Sequence, residues 1–226
     1  MFLPTLRTAL AGSLACGLLA TAVVGAQPVN VALGKSVTGV GTFGMPRTGS
    51  PFPNPPAAGL TTLTDGELPA IGTQWQTGTV WWDNGVAGFT PPAATIPRAD
   101  PGDTYVSVDL GMGYDLTGFR LSADNNDAYM LFTRNSLSEA WNYWTAVFCI
   151  SCGPGMMTLD FSNVFSENLR GARYLAVTGV NGDGYFSLGE VEAYANVSAV
   201  PEPAAVGLLL TGLVGLGGIA ARRRRA

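Results

Sequence analysis

Residues 123–129 read ADNNDAY and place two carboxylates and two carboxamides, Asp124, Asn125, Asn126 and Asp127, in four consecutive positions. Side chains of this kind accept and donate hydrogen bonds in pairs, which suits paired hydroxyls on a ligand. Two carboxylates are also the equipment of glycosidic-bond hydrolysis, and Asp124 with Asp127 is the pair that would serve it. The same four residues make an ordinary solvated hairpin turn as well. A second grouping, Trp81-Trp82-Asp83-Asn84, sets aromatic surface beside polar groups. Neighbours along a strand point to opposite faces, so one tryptophan of that pair is expected in the core. Histidine is absent from all 226 residues. That excludes a Ser-His-Asp triad, histidine-ligated zinc and imidazole acid–base chemistry.

Charge narrows the partners. Between Gln27 and Val200 there are seven basic and fifteen acidic residues, a net charge of −8. A body this acidic repels phosphate backbones, so nucleic acid is not an expected partner. The cysteines point to the compartment. Arg7, the apolar stretch Ala9–Val24 and the small residues Val24-Gly25-Ala26 form a secretory signal peptide over residues 1–26, the alternative being a buried helix or membrane anchor. Cleavage there removes Cys16 and leaves Cys149 and Cys152 in FCISCG. An even pair in an exported chain points to a disulfide clip, with free thiols or a redox pair as the alternatives.

The elements that must carry these groups are short. Residues 38–60 and 84–103 are dense in Gly and Pro and read as loops. TYVSVDLG alternates, with Val106, Val108 and Leu110 on one face and Tyr105, Ser107 and Asp109 on the other. TGFRLSA, MTLDFSNVF, RYLAVTGV and GEVEAYA follow the same period of two. No amphipathic helix of ten residues or more and no internal repeat interrupts them. The expected fold is all-β, an antiparallel β-sandwich.

Four fragments make the expectation more specific: NVALGKSVT (30–38), LTDGELPAIGTQW (63–75), YVSVDLG (105–111) and ARYLAVTGVNGDGYFSLGEVEAY (172–194). Their order and spacing resemble the discoidin, or coagulation-factor C-type, family of galactose-binding-like jelly rolls, here over residues 27–196. The resemblance implies eight strands and a structural cation, Ca2+ or alternatively Na+. Its matching positions are the side chains of Asp65, Thr73 and Glu190, with Glu67 as a possible fourth and the carbonyls of Thr62 and Gly189 completing the set. Hard cations take six to eight oxygens, which carboxylates and carbonyls supply without histidine. The resemblance also implies ligand loops at one end of the sandwich. There, Asp124, Asn125, Asn126 and Asp127 match the polar ligands, and Tyr185 matches the aromatic platform, with Trp82 as a second. The position matching the family's arginine carries Asp124.

The chain ends VPEPAAVGLLLTGLVGLGGIAARRRRA. Residues 205–221 carry no charge and would span roughly 25 Å as a helix, enough to cross a bilayer with snorkelling arginines. Pro201-Glu202-Pro203, this span and Arg222, Arg223, Arg224 and Arg225 together resemble the PEP-CTERM sorting signal, here residues 197–226. That resemblance implies signal peptidase and an exosortase as export partners and contact with the inner membrane only through the tail. It also implies a final location at the cell surface, outer membrane or extracellular matrix of a Gram-negative bacterium. The resulting expectation is a non-catalytic module that binds a glycan or exopolysaccharide of that matrix. A structural or adhesive protein that contacts other proteins is the alternative, and a polysaccharide-acting enzyme a more remote one.

Overall fold

Strict alternation builds the strands. In β4 (Tyr105–Tyr114) Val106, Val108 and Leu110 are fully buried, while Tyr105 and Asp109 lie on the opposite face and are only partly covered. The same rule sends Phe119, Leu121 and Ala123 of β5 (Leu116–Asp124) inward, and likewise Leu175 and Val177 of β9 (Ala172–Asn181). The computed structural model describes residues 27–84, 100–148, 153–162 and 169–197. Within them, β1 (Pro28–Asn30), β10 (Tyr185–Asn196), β5 and β8 (Met156–Ser162) pair in that order. β3 (Val80–Asp83) pairs with the first residues of β10, beyond the reach of β1. The second sheet runs β2 (Ser36–Val40), β4, β9, β6 (Ala128–Arg134) and β7 (Asn142–Phe148). Every pairing is antiparallel, and the apolar faces of the two five-stranded sheets close on one core. The described residues thus form an all-β sandwich with ten strands rather than eight.

Two of the expected loops are more than connections. Residues 38–40 complete β2, and the chain after them folds across the outer face of the first sheet. Gly44 N–H donates to the Trp81 carbonyl at 2.9 Å, Ala58 N–H to the Thr79 carbonyl at 2.8 Å, and Trp81 Nε1 to the Pro55 carbonyl at 3.2 Å. Trp82 enters the inter-sheet core against Phe43, Tyr129 and Phe186. Trp81 points the other way, as alternation demands, yet the loop and Trp75 cover it, so both tryptophans are buried. Opposite faces therefore did not mean one buried and one presented.

The leader at 1–26, Cys149 and Cys152, and the tail with Pro201, Glu202, Pro203 and Arg222–Arg225 lie outside the described residues. Among the described residues no helix is long and apolar enough to cross a membrane.

Candidate functional site

Two places on the sandwich collect the residues singled out by sequence. The first is built on a short 3-10 helix, Leu60–Thr64, tied to β2 where Thr64 Oγ1 donates to the Lys35 carbonyl at 2.8 Å. Asp65 follows, and its Oδ1 takes Glu67 N–H at 2.8 Å, closing a turn that needs Gly66 at φ +86°. Thr62, Asp65, Glu67, Thr73 and Gly189 line one cavity of about 310 Å³, so five of the six expected cation residues share a single space. The sixth, Glu190, sits against the same turn, its Oε1 taking Gly66 N–H at 3.2 Å.

Glu190 is fully buried, and its Oε2 has no hydrogen-bond partner among the described residues. Burial, and then the neighbouring Asp65 charge, push its carboxyl up to about 8. A buried carboxylate oxygen without a donor is costly unless a cation or a proton meets it. The donor chemistry, all oxygen, fits a hard cation. Among the described residues no three Asp, Glu or Cys side chains converge into an all-side-chain metal cluster. A bound ion would therefore depend on the threonine hydroxyl and backbone carbonyls as well as the carboxylates.

The second place is the end of the sandwich where the loop after β2, the close of β3, the approach to β4 and Thr178 and Gly179 of β9 meet. A cleft of about 460 Å³ opens there, with Trp82 along its floor and Thr42, Asp83, Asn84, Asp103 and Thr178 among its walls. Glycines at its edges are forced by close packing. A Cβ at Gly41 would lie 2.6 Å from Thr104 Oγ1, and one at Gly179 would lie 2.2 Å from the Phe186 ring. Asp83 is fixed by Arg47, whose N–H reaches Oδ2 at 2.7 Å and whose Nη1 reaches Oδ1 at 3.3 Å. The hydroxyl of Thr178 donates to the Thr104 carbonyl at 2.7 Å, locking one wall.

The structure distributes the expected ligand residues unevenly. Trp82 reaches the cleft, but at 1 % exposed it is a floor and not an open stacking platform. Tyr185 is 3 % exposed. Arg47 covers its ring at 4.2 Å, Phe52 and Trp75 pack on it, and its hydroxyl reaches Ser50 Oγ at 3.1 Å. The expected aromatic face is thus occupied by the protein's own loop. Asn125 and Asn126 are half-buried at the turn, and Asn126 Nδ2 donates to Asp183 Oδ2 at 2.9 Å. Asp124 and Asp127 are buried, so neither carboxylate is presented to a ligand or placed for two-carboxylate hydrolysis. Sequence reasoning missed Arg47, Thr42, Asp103 and Thr178. Only Arg47 carried a signal, as the sole basic residue between Lys35 and Arg98.

No family model matches the chain, and no curated protein does. Among solved structures it is similar to the lectin domain of lectinolysin complexed with Lewis B antigen, at 14 % identity over 75 % of this chain and 98 % of that one, with a TM-score of 0.42. It is similar also to a fucolectin from the serum of striped bass, Morone saxatilis, at 18 % identity over 75 % and 49 % of the chains, TM-score 0.45. A chitosan-binding module of a chitosanase/glucanase from Paenibacillus sp. IK-5 aligns at 20 % identity over 74 % and 99 %, TM-score 0.39. These likenesses are distant.

Proposed function

We propose that this chain is an exported, non-catalytic module that binds a glycan in the cleft at the β3–β4 end of the sandwich. The observation that carries the reading is the cleft itself: about 460 Å³, walled by hydroxyl, amide and carboxylate groups. Sugars present paired hydroxyls, and this lining offers hydrogen-bonding partners for them. Its exposed charged wall residue, Asp103, is acidic, Asp83 being paired with Arg47, and the body carries −8, so a neutral or cationic glycan fits and a strongly anionic one meets like charge. Affinity for one site is modest, because an open polar cleft gains little beyond its ordering costs, and repeated polymer at a surface adds avidity.

Under this proposal Asp65, Thr73 and Glu190, with Glu67 and the carbonyls of Thr62 and Gly189, hold Ca2+ or Na+ as a structural ion. The ion would neutralise Glu190 and Asp65 and fasten the 3-10 turn to β10. The N-terminal leader and the Pro-Glu-Pro tail direct export by signal peptidase and exosortase to the cell surface or extracellular matrix.

Retention of the purified chain on a panel of neutral, amine-bearing and uronic polysaccharides tests the binding reading. Retention on a neutral or amine-bearing polymer, lost in Asn84→Ala and Asp103→Ala, supports it. No retention on any polymer transfers the role to a protein-contacting matrix component.

A further inference from the structure

The β5–β6 turn and the β9–β10 turn meet through acids. Asp124 closes β5 and Asp127 precedes β6, and each is 2 % exposed. Asp124 Oδ1 takes Asn125 N–H at 2.9 Å. Asp127 Oδ1 takes Asp183 N–H at 3.3 Å, while its Oδ2 is buried with no partner among the described residues. Asp183, on the facing turn, accepts from Asn126 Nδ2 and from Tyr185 N–H, both at 2.9 Å. Gly182 holds φ +133° beside Asp127, and a Cβ there would lie 1.7 Å from Asp127 Oδ1. The backbone has been brought up to this carboxyl group as closely as glycine allows.

The titratable groups facing the pair are each other, Asp183 from the β9–β10 turn, and the Tyr129 phenol of β6. Tyr129 donates to the Ser187 carbonyl at 3.0 Å and accepts its N–H at 3.1 Å, and its phenol beside Asp127 works against the upward shift of that carboxyl. No lysine or arginine is among the groups that shift the pair. Two buried ionised carboxylates without a counter-ion would cost several kcal/mol, so the folded chain keeps a proton here instead. Burial, and then the charges of Asp124 and Asp183, push Asp127 up to about 9; burial raises Asp124 to about 7.

The joint leads to the binding end. Tyr185, held by Asp183, opens β10 opposite Asp83, and Asn84 N–H donates to the Gly184 carbonyl at 3.1 Å. Asp83 and Asn84 are walls of the cleft. We propose that Asp124 and Asp127 form a proton-operated latch, which joins the two turns while protonated and releases the β9–β10 turn, and with it the Asp83–Asn84 wall, on losing its proton to solvent. The consequence for ligand rests on the glycan reading; the latch itself does not. A carboxyl whose folded pKa is raised tightens the structure fully below the ordinary carboxylate range. That contribution fades as pH rises through about 7 and about 9.

The test is hydrogen exchange of the purified chain from pH 5 to 9, in chelator and at fixed ionic strength, corrected for intrinsic exchange. No ligand is needed, so a failed glycan reading leaves it intact. Protection at Asn84 and Asp183–Tyr185 should fall across the range, by about tenfold per pH unit between about pH 7 and about pH 9, where only Asp127 keeps its proton, while the central residues of β4 and β9 change less. Asp127→Asn, which stays neutral, should flatten that fall, and Asp124→Asn should weaken it should the first variant fold poorly. Carboxyl carbon shifts of the wild-type chain give an independent reading. A flat wild-type profile, an unchanged slope in Asp127→Asn, or an Asp127 carboxyl titrating near about 4 would overturn the latch.

Discussion

Arg47 lies over Tyr185 with its guanidinium carbon 4.2 Å from the ring centroid, and from the same position it reaches Asp83 at 3.3 Å. One side chain of an irregular loop thereby seals an aromatic ring and fixes a wall of the cleft. Arg47→Ala should lower stability by about 2 kcal/mol, from the lost cation–π contact and the lost charge facing buried Asp83. Urea midpoints measure the loss. Tyr185 should also become accessible, read as greater quenching of its fluorescence or faster nitration.

The proposed ion in the cavity beside Glu190 predicts a coupling between ion and pH. Without an ion, Glu190 is pushed up to about 8, so its contribution is present below the ordinary carboxylate range and lost as pH rises through that value. An ion needs the ionised form and reverses the trend. Calcium at about a hundred times its pH 8 Kd should add roughly 2.7 kcal/mol at pH 8, and the same calcium concentration should add less at pH 5. Thermal melts with calcium and with chelator read this directly, and Asp65→Ala or Glu190→Gln should remove the difference between them.

Gly182→Ala should be among the most damaging single changes at the turn end of the sandwich. The new methyl would meet Asp127 Oδ1 at 1.7 Å on a backbone at φ +133°. Displacing the acid or the turn should cost about 3 kcal/mol, measured as a shift in urea midpoint. Gly49→Ala is the control, because its Cβ meets nothing within 4 Å and only its φ of +82° opposes it.

The inter-sheet core was legible in sequence because period-two alternation reports burial directly. Val106, Val108 and Leu110 face inward as read. The Asp65-Gly66 turn was legible because its chemistry is local, whereas the grouping of Asp65, Thr73 and Gly189 around one cavity was expected only from the family resemblance. The aromatic platform was not. Whether Trp81 and Tyr185 are covered depends on where residues 41–59 run, and Pro/Gly-rich sequence names a loop without giving its path. Asp124 and Asp127 were misjudged for a related reason. Polar residues in a turn are normally solvated, and it is the close approach of Gly182, in the β9–β10 turn 55 positions away, that brings backbone against Asp127.

The proposed processing at both ends and the expected Cys149–Cys152 clip make one prediction for mass spectrometry of protein recovered from its native source. The mature species should lack residues 1–26 and the Arg222–Arg225 cluster. After unfolding without reductant, it should show no free thiol. Retained terminal arginines would count against exosortase processing, and two labelled cysteines against the disulfide.

Backbone chemical-shift mapping locates the bound sugar and tests the central claim most directly. The isotope-labelled chain is titrated with short oligomers of whichever polysaccharide retains it. Amides of Thr42, Asn84, Asp103 and Thr178 should shift together and saturably, and Asn84→Ala should weaken the titration by about tenfold, a loss of roughly 1.4 kcal/mol. The outer face of the second sheet, around Trp141 and Tyr143, should stay unmoved. Shifts confined to that outer face, or none in the cleft under saturating oligomer, would contradict the assignment of the cleft as the glycan site.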